Sequence, residues 1–171
     1  MVQELTDLRN CILEQRYQDA LEIIDELEEM GKQAILRNIE SFLVRLFIHL
    51  LKNQVEKRLT NSWIASISDS IIQIKKLNLK ANKNSYYIQP DQWQPYLEEA
   101  IEQAIRPASI EILEGSLKST QLSAMIEQNV LLNIAQKLLD LTYEYPVKEL
   151  PHRIDQELAQ LPGGQDWFDE L

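Results

Sequence analysis

The chain is short of the residues that carry chemistry and of those that break helices: among 171 positions there are one cysteine, two histidines and four glycines. The lone Cys11 allows neither an intramolecular disulfide nor a thiolate zinc site, so a framework of the secreted kind is excluded and a reducing cytoplasm fits. A di-metal site in a helical bundle needs a Glu-x-x-His turn on each of two helices. Only Glu149-Leu150-Pro151-His152 matches in letters, and its proline near a helix start unsuits it as a core ligand pair. No Gly-rich phosphate loop and no Ser, His and acid set can be assembled, so no catalytic, cofactor-binding or metal-ligating residue is assigned. The longest apolar run, Phe42–Leu51, is about half of the ~20 residues a spanning helix needs, and Met1-Val2-Gln3-Glu4-Leu5 is neither basic leader nor apolar h-region. We therefore expect a soluble, cytoplasmic chain without a membrane partner.

What is present is the material of helices. Leu, Ile, Glu, Gln, Lys and Ala dominate, and 44% hydrophobic content suffices for a core without staples. The expectation is all-α: one domain over 1–171, a single bundle of six to eight helices around a central buried helix at about 32–57, with an acidic-aromatic tail from about 162. Leu5, Leu8, Ile12 and Leu13 mark a helix over 4–16, and Leu21, Ile24 and Leu27 a second over 18–30, closed by a left-handed cap at Gly31. The two read as an antiparallel pair. Eight of the ten residues from Phe42 to Leu51 are apolar, which calls for neighbours on most sides of the third helix.

Thr60, Asn61 and Ser62 are good N-caps for a helix over 62–79 with Ile64, Ile67, Ile71 and Ile74 on one face. Residues 80–90 lack a stripe and read as the longest loop, the best place for a mobile or partner-facing segment. A helix capped by Asp91 carries Leu97, Ile101, Ile105 and Ile112; Pro107 should kink or break it, and Gly115 should end it. Residues 118–141 are helical with a change of phase near Gln128-Asn129, and Ile154, Leu158 and Leu161 mark a last short helix before Pro162-Gly163-Gly164.

Charge is uneven. Residues 1–31 hold nine acids and two bases, 32–83 three acids and ten bases, 84–171 fifteen acids and five bases, for a net −10. A basic segment can mark a nucleic-acid face, but basic helices packed beside acidic ones account for the same pattern, and the acidic whole is repelled from phosphate. Nucleic acid is not expected as a partner.

One polar group on the central helix merits watching: Arg45, His49 and Lys52, with Arg58 and Trp63 just beyond. Arg45 and His49 resemble the Arg and His that act on a phosphodiester in the helical nucleases called HEPN, but three residues intervene here where that motif has four to six. Asn38, Ser41, Arg45, His49, Lys52 and Glu56 instead read as one solvated stripe at three- and four-residue steps. Arg58 can stack on Trp63 and fix the following turn. Asp25, Glu26, Glu28 and Glu29 should solvate their own helix and face the basic third one, and Cys11 should be core packing.

Ile24-Asp25-Glu26-Leu27-Glu28-Glu29-Met30-Gly31, Ile48-His49-Leu50-Leu51-Lys52, and Arg58 with Ser62-Trp63, in that order and spacing, resemble the signature of the bacterial family called domain of unknown function 29. The resemblance is specific over 17–77. Pro146 and the closing acidic-aromatic segment are similar to family endings, while Asn53 stands where a Trp often follows the Lys52 position. The resemblance implies an all-helical cytoplasmic protein and names no activity. The function expected is a non-enzymatic interaction or regulatory module with an unidentified protein partner or self-association, the alternatives being a nucleic-acid-associated protein using residues 32–83 and, third, a helical hydrolase or nuclease.

Overall fold

A computed structural model describes residues 2–169. Met1, Glu170 and Leu171 lie outside the described residues, and with them the first residue of the expected leader-free start and the last two of the tail. The chain is all-α, and the described residues form eight α-helices: α1 Val2–Leu13, α2 Tyr17–Glu56, α3 Asn61–Asn78, α4 Gln94–Glu111, α5 Ser119–Met125, α6 Gln128–Glu144, α7 Leu150–Leu158 and α8 Gly164–Asp169. A 3-10 turn, Ile112–Gly115, follows α4. The only extended pairing among the described residues is an isolated bridge between Leu79 and Tyr86. By its internal contacts the chain divides into two compact units, Met1–Asn38 and Ile39–Leu171, and α2 supplies residues to both.

The first correction to the sequence reading concerns Gly31. It does not cap a helix; α2 runs through it for 40 residues, so the expected helices 18–30 and 32–57 are one. A glycine in a helix interior costs only about 1 kcal/mol relative to alanine, less than the burial of the helix beyond it returns. The acids Asp25 to Glu29 consequently cannot face a basic neighbour made of the same helix.

In the first unit, Asp7 and Asn10 of α1, Glu14 of the turn, and Asp19, Glu22 and Glu26 of α2 line one shallow cleft, as the two arms of a helical hairpin do. Its turn puts Gln15 at φ 59°, Arg16 N–H donates to the Cys11 carbonyl at 2.8 Å, and the Arg16 guanidinium reaches Glu14 and Asp19 at 2.8 and 3.1 Å. Cys11 is core, as expected. Only Ala20 and Leu36 join it among the hairpin's buried apolar residues, whereas Val2, Leu5, Ile12, Leu13, Tyr17, Leu21, Ile24 and Met30 are exposed.

The second unit is built round the other end of α2. From Ile39 to Asn53 only Ser41 is exposed, and Ile39, Leu43, Leu46, Phe47, Leu50 and Leu51 are sealed from water. This is the enclosure that the apolar run demanded, although it begins near Ile39 rather than at residue 32. Around it α3 packs on α6 and α7, α4 on α5 and α6, and α6 on α7. Thr60 caps α3, its hydroxyl accepting from Trp63 N–H at 3.1 Å, and Ile67, Ile71 and Ile74 are fully buried. Pro107 neither ends nor divides α4. Pro107 and Gln103, whose carbonyl loses its intrahelical partner, both lie on the exposed side, where water can take the freed acceptor. α4 ends at Glu111, and the turn after it carries Leu113 and Glu114, both left-handed, then Gly115 at φ 76°, where a Cβ would stand 2.8 Å from the Ile110 carbonyl oxygen. The phase change near 128 is the α5–α6 break. The tail from 162 is partly helical, as α8, with Trp167 and Phe168 half-buried.

Residues 80–90 form the expected loop, but its exit is tied down. Asn78 accepts from Ile88 N–H at 2.7 Å and donates to the Ile88 carbonyl at 2.9 Å. The Tyr143 hydroxyl donates to the same carbonyl at 2.6 Å and accepts from Trp93 Nε1 at 2.8 Å, with Tyr86 edge-on to its ring at 4.7 Å. Burial pushes the Tyr143 hydroxyl up to about 12, so it stays a neutral donor.

If the sealed half of α2 organises the second unit, Phe47→Ala and Leu46→Ala should each destabilise by about 2–5 kcal/mol through lost transfer energy and the cavity left behind. Urea unfolding measures this. Losses under about 0.5 kcal/mol at both positions would mean that the helix is peripheral.

Candidate functional site

Arg45, His49 and Lys52 lie along one edge of α2, and that edge changes character along its length. Asn38 and Ser41 are exposed, Arg45 and His49 half-buried, and Lys52 only 8% exposed. The solvated stripe inferred from spacing is thus wet at one end and buried at the other. The physical reason is a charge from far along the chain: Glu111, at the end of α4, pairs with Lys52 Nζ at 2.5 Å and lets the ammonium be enclosed.

Around Lys52 a cleft of about 470 Å³ is lined by Glu56, Arg58, Trp63, Glu111, Leu113 and Glu114. The Arg58 guanidinium lies 4.7 Å from the centre of the Trp63 ring and Lys52 Nζ 5.6 Å from it, so one indole carries two cations. Glu56 accepts from Arg58 Nη2 at 3.1 Å. The stack expected from sequence is present, with Lys52 added. Next to Lys52 in the chain, Asn53 donates to the carbonyls of Arg58 and Pro162 at 3.0 and 2.8 Å. Gly163 packs so tightly there that a Cβ would stand 2.9 Å from the Lys57 carbonyl oxygen. Lys57 itself has φ 57°, the left-handed turn that lets the chain leave α2 and present Arg58 to the indole. A short polar side chain at 53 therefore serves as a staple between three segments.

Arg45 is engaged elsewhere, donating to Asp69 at 2.8 Å and to Ser66 at 3.3 Å on α3. His49 sits between these groups. Burial, then the Lys52 ammonium, with Arg45 adding and Glu111 opposing, hold its imidazole down to about 4, and its Nδ1 is buried with no hydrogen-bond partner. Such a ring is neutral at pH 7 and too weak a base for efficient proton abstraction there. Arg45 and His49 thus share an edge of α2 without sharing a target. His152 lies apart, exposed on α7 with Gln156 at 3.2 Å, and no group of three potential metal ligands occurs among the described residues.

Chemically, the cleft holds two cations matched by carboxylates and no nucleophile beside a base. Its most unusual feature is backbone: Leu113 and Glu114 adopt φ 49° and 59° on its rim, a conformation that a leucine does not take without help from its surroundings. The sequence reading missed Glu111, Leu113 and Glu114, whose sole local signal was Gly115 just after them. It also missed the Asn78–Tyr143 knot, for which no local signal exists. Lys75, one of the ten bases of the 32–83 segment, donates to the Thr142 carbonyl and is partly buried, which lowers its pKa.

Two helical units, one enclosing a polar edge and the other a bare hairpin, define a small all-α protein with no described helix long and apolar enough to cross a membrane. Residues 3–162 match the family described as domain of unknown function DUF29, and the chain belongs to that family. No curated protein and no solved structure matches it.

The His49 environment has a pH signature. Its folded pKa lies below the ordinary 6.5, so the unfolded chain binds the extra proton first. The stability tied to the neutral ring is full above about 6.5 and is lost as pH falls toward about 4. Discounted for the ring's remaining exposure, the loss should be about 1–2 kcal/mol. Unfolding measured from pH 7 to 4 should show this slope in the wild type and a shallower one in His49→Gln; identical slopes would remove His49 as the cause.

Proposed function

We propose that the chain is a non-enzymatic protein-interaction module and that its docking face is the α1–α2 hairpin. One observation carries this reading. Among the described residues the hairpin buries three apolar ones and leaves eight large ones exposed, Leu5, Ile12, Leu21 and Ile24 among them, at spacings that put them on helix faces. An apolar face of this kind on one element is what protein contacts use, whereas singly scattered apolar residues need no explanation.

The rest of the chain supports the same reading from the other side. Lys52, Arg58 and Arg45 of the basic segment are committed to Glu111, Trp63 and Asp69, and Lys75 to a backbone carbonyl, so four of its ten bases are engaged within the chain. His49 is a poor base and has no nucleophile as neighbour. A cytoplasmic location belongs to the proposal: with one cysteine, itself buried, the chain has no use for an oxidising compartment.

The test is affinity purification from the native host with the full chain and with Leu21→Asp/Ile24→Asp as baits. Both positions are solvent-exposed, so the double variant should unfold within about 0.5 kcal/mol of the wild type. Proteins recovered by the wild type should be missing from the variant. Equal recovery by both would place any docking face elsewhere, and a hydrolytic activity abolished by His49→Gln would overturn the non-enzymatic reading.

A further inference from the structure

The α1–α2 hairpin has two unlike sides. Asp7, Asn10, Glu14, Asp19, Glu22 and Glu26 line its cleft. Residues two apart in an α-helix point about 200° from each other. Leu5 and Ile12 are two positions from Asp7 and Asn10, and Leu21 and Ile24 two positions from Asp19 and Glu22, so all four turn away from the cleft. They form the back of the hairpin, and each is exposed, from 36% at Ile24 to 55% at Leu21. Five of the nine acids of residues 1–38 belong to the cleft side. Arg37 points the same way, being two positions beyond Ile35 in the stripe Tyr17, Leu21, Ile24, Glu28 and Ile35, in which Glu28 is the one acid.

The back is complementary to itself. A contact about a two-fold axis pairs residue i with j and j with i. When two copies of α2 run antiparallel across an axis between Glu22 and Ile23, Leu21 of each meets Ile24 of the other, and Tyr17 meets Glu28, a phenol hydroxyl donating to the carboxylate of the stripe. An axis between Leu8 and Arg9 does the same for α1: Leu5 meets Ile12, and the Arg9 stem lies over half-buried Leu8 while its guanidinium reaches water. One axis meets both conditions. The arms of a short αα-turn are antiparallel, and counted out from Gln15 at its tip the two axis positions stand within about one residue, ~1.5 Å, of the same height. Lys32 then extends past Tyr17 of the other copy toward its turn, where Glu14 stands.

The hairpin is also too small to cover its own stripes. The unit Met1–Asn38 buries only Cys11, Ala20 and Leu36 among its described apolar residues, and it has no disulfide and no metal-ligand group among the described residues. Units below about 40 residues are usually completed by such staples or by oligomerisation. Two hairpins set back to back make an antiparallel four-helix bundle, which encloses all four stripes at once. We infer that the back of the hairpin docks a second copy of this chain about a two-fold axis, with Leu21 against Ile24 and Leu5 against Ile12, and the acidic clefts facing outward. This rests on the reading of the hairpin as the docking face.

Sedimentation of the full chain should show a dimer with a Kd on the order of ten micromolar, as suits a small face. Leu21→Asp/Ile24→Asp should weaken it at least about a hundredfold, with wild-type helicity retained when both chains are compared below that concentration. Asp19→Asn/Glu26→Gln, on the cleft side, should leave the Kd within about twofold. The pairing has its own readout. Under mild oxidation a mixture of Leu21→Cys and Ile24→Cys chains should form disulfide-linked pairs at least about threefold faster than either chain alone, because only the mixture sets two thiols directly across the axis. Cys11 is buried and stays out of the reaction. A wild type still monomeric at roughly ten times the expected Kd, a dimer indifferent to Leu21→Asp/Ile24→Asp, or a mixture that links no faster than its components overturns the inference. A monomeric wild type whose host proteins are lost from the Leu21→Asp/Ile24→Asp bait sinks the second copy alone and leaves the docking face to a different protein; a bait indifferent to those substitutions sinks the docking face itself.

Discussion

The burial of the Ile39–Asn53 stretch of α2 is the constraint on which the second unit depends. A helix apolar around nearly its whole circumference is unstable in water unless several partners cover it, and α2 meets this condition over four turns where Leu43, Leu46, Phe47 and Leu51 are inaccessible. The β-branched, isoleucine-rich α3 follows the same logic. Its residues are mediocre helix formers, so Ile67, Ile71 and Ile74 are helical because the core takes them up.

Polar side chains close the edges that apolar packing cannot. Asn53 ties the end of α2 to the carbonyls of Arg58 and Pro162; Gln54 both donates to and accepts from the backbone of Glu127, fixing the α5–α6 junction; Asn78 and Tyr143 hold Ile88. Each joins segments distant in sequence, and each satisfies backbone groups that a helix end or a loop would leave bare. The cleft over Trp63 is of the same kind, with Lys52 and Arg58 neutralised by carboxylates from both near and far in the chain.

Periodicity made the helices legible: the apolar run 42–51, the isoleucine stripe of α3 with its Thr60 cap, and the break between α5 and α6 could all be read along the chain. The Arg58–Trp63 stack was legible because both residues flank one turn. Gly31 was misread because a C-cap and a helix interior look alike in sequence when the helix continues on tertiary support. The break allowed at Pro107 does not occur, because its lost hydrogen bond falls on a wet side, which only the fold decides. Glu111 and the Asn78–Tyr143 knot were invisible, since nothing local marks a partner about sixty residues away.

One helix therefore has two regimes: residues 39–53 are held by burial, and residues 17–35 have little beyond α1 to hold them and leave Tyr17, Leu21, Ile24 and Met30 exposed to solvent. Amide hydrogen exchange of the full chain, resolved along α2, tests this directly. The account predicts amides between Leu43 and Leu51 exchanging at least about a thousandfold more slowly than those between Leu21 and Ala34, because opening the first requires global unfolding and opening the second does not. Comparable protection along the whole helix would contradict it, since the hairpin would then be as firmly held as the core and its apolar face would need another explanation.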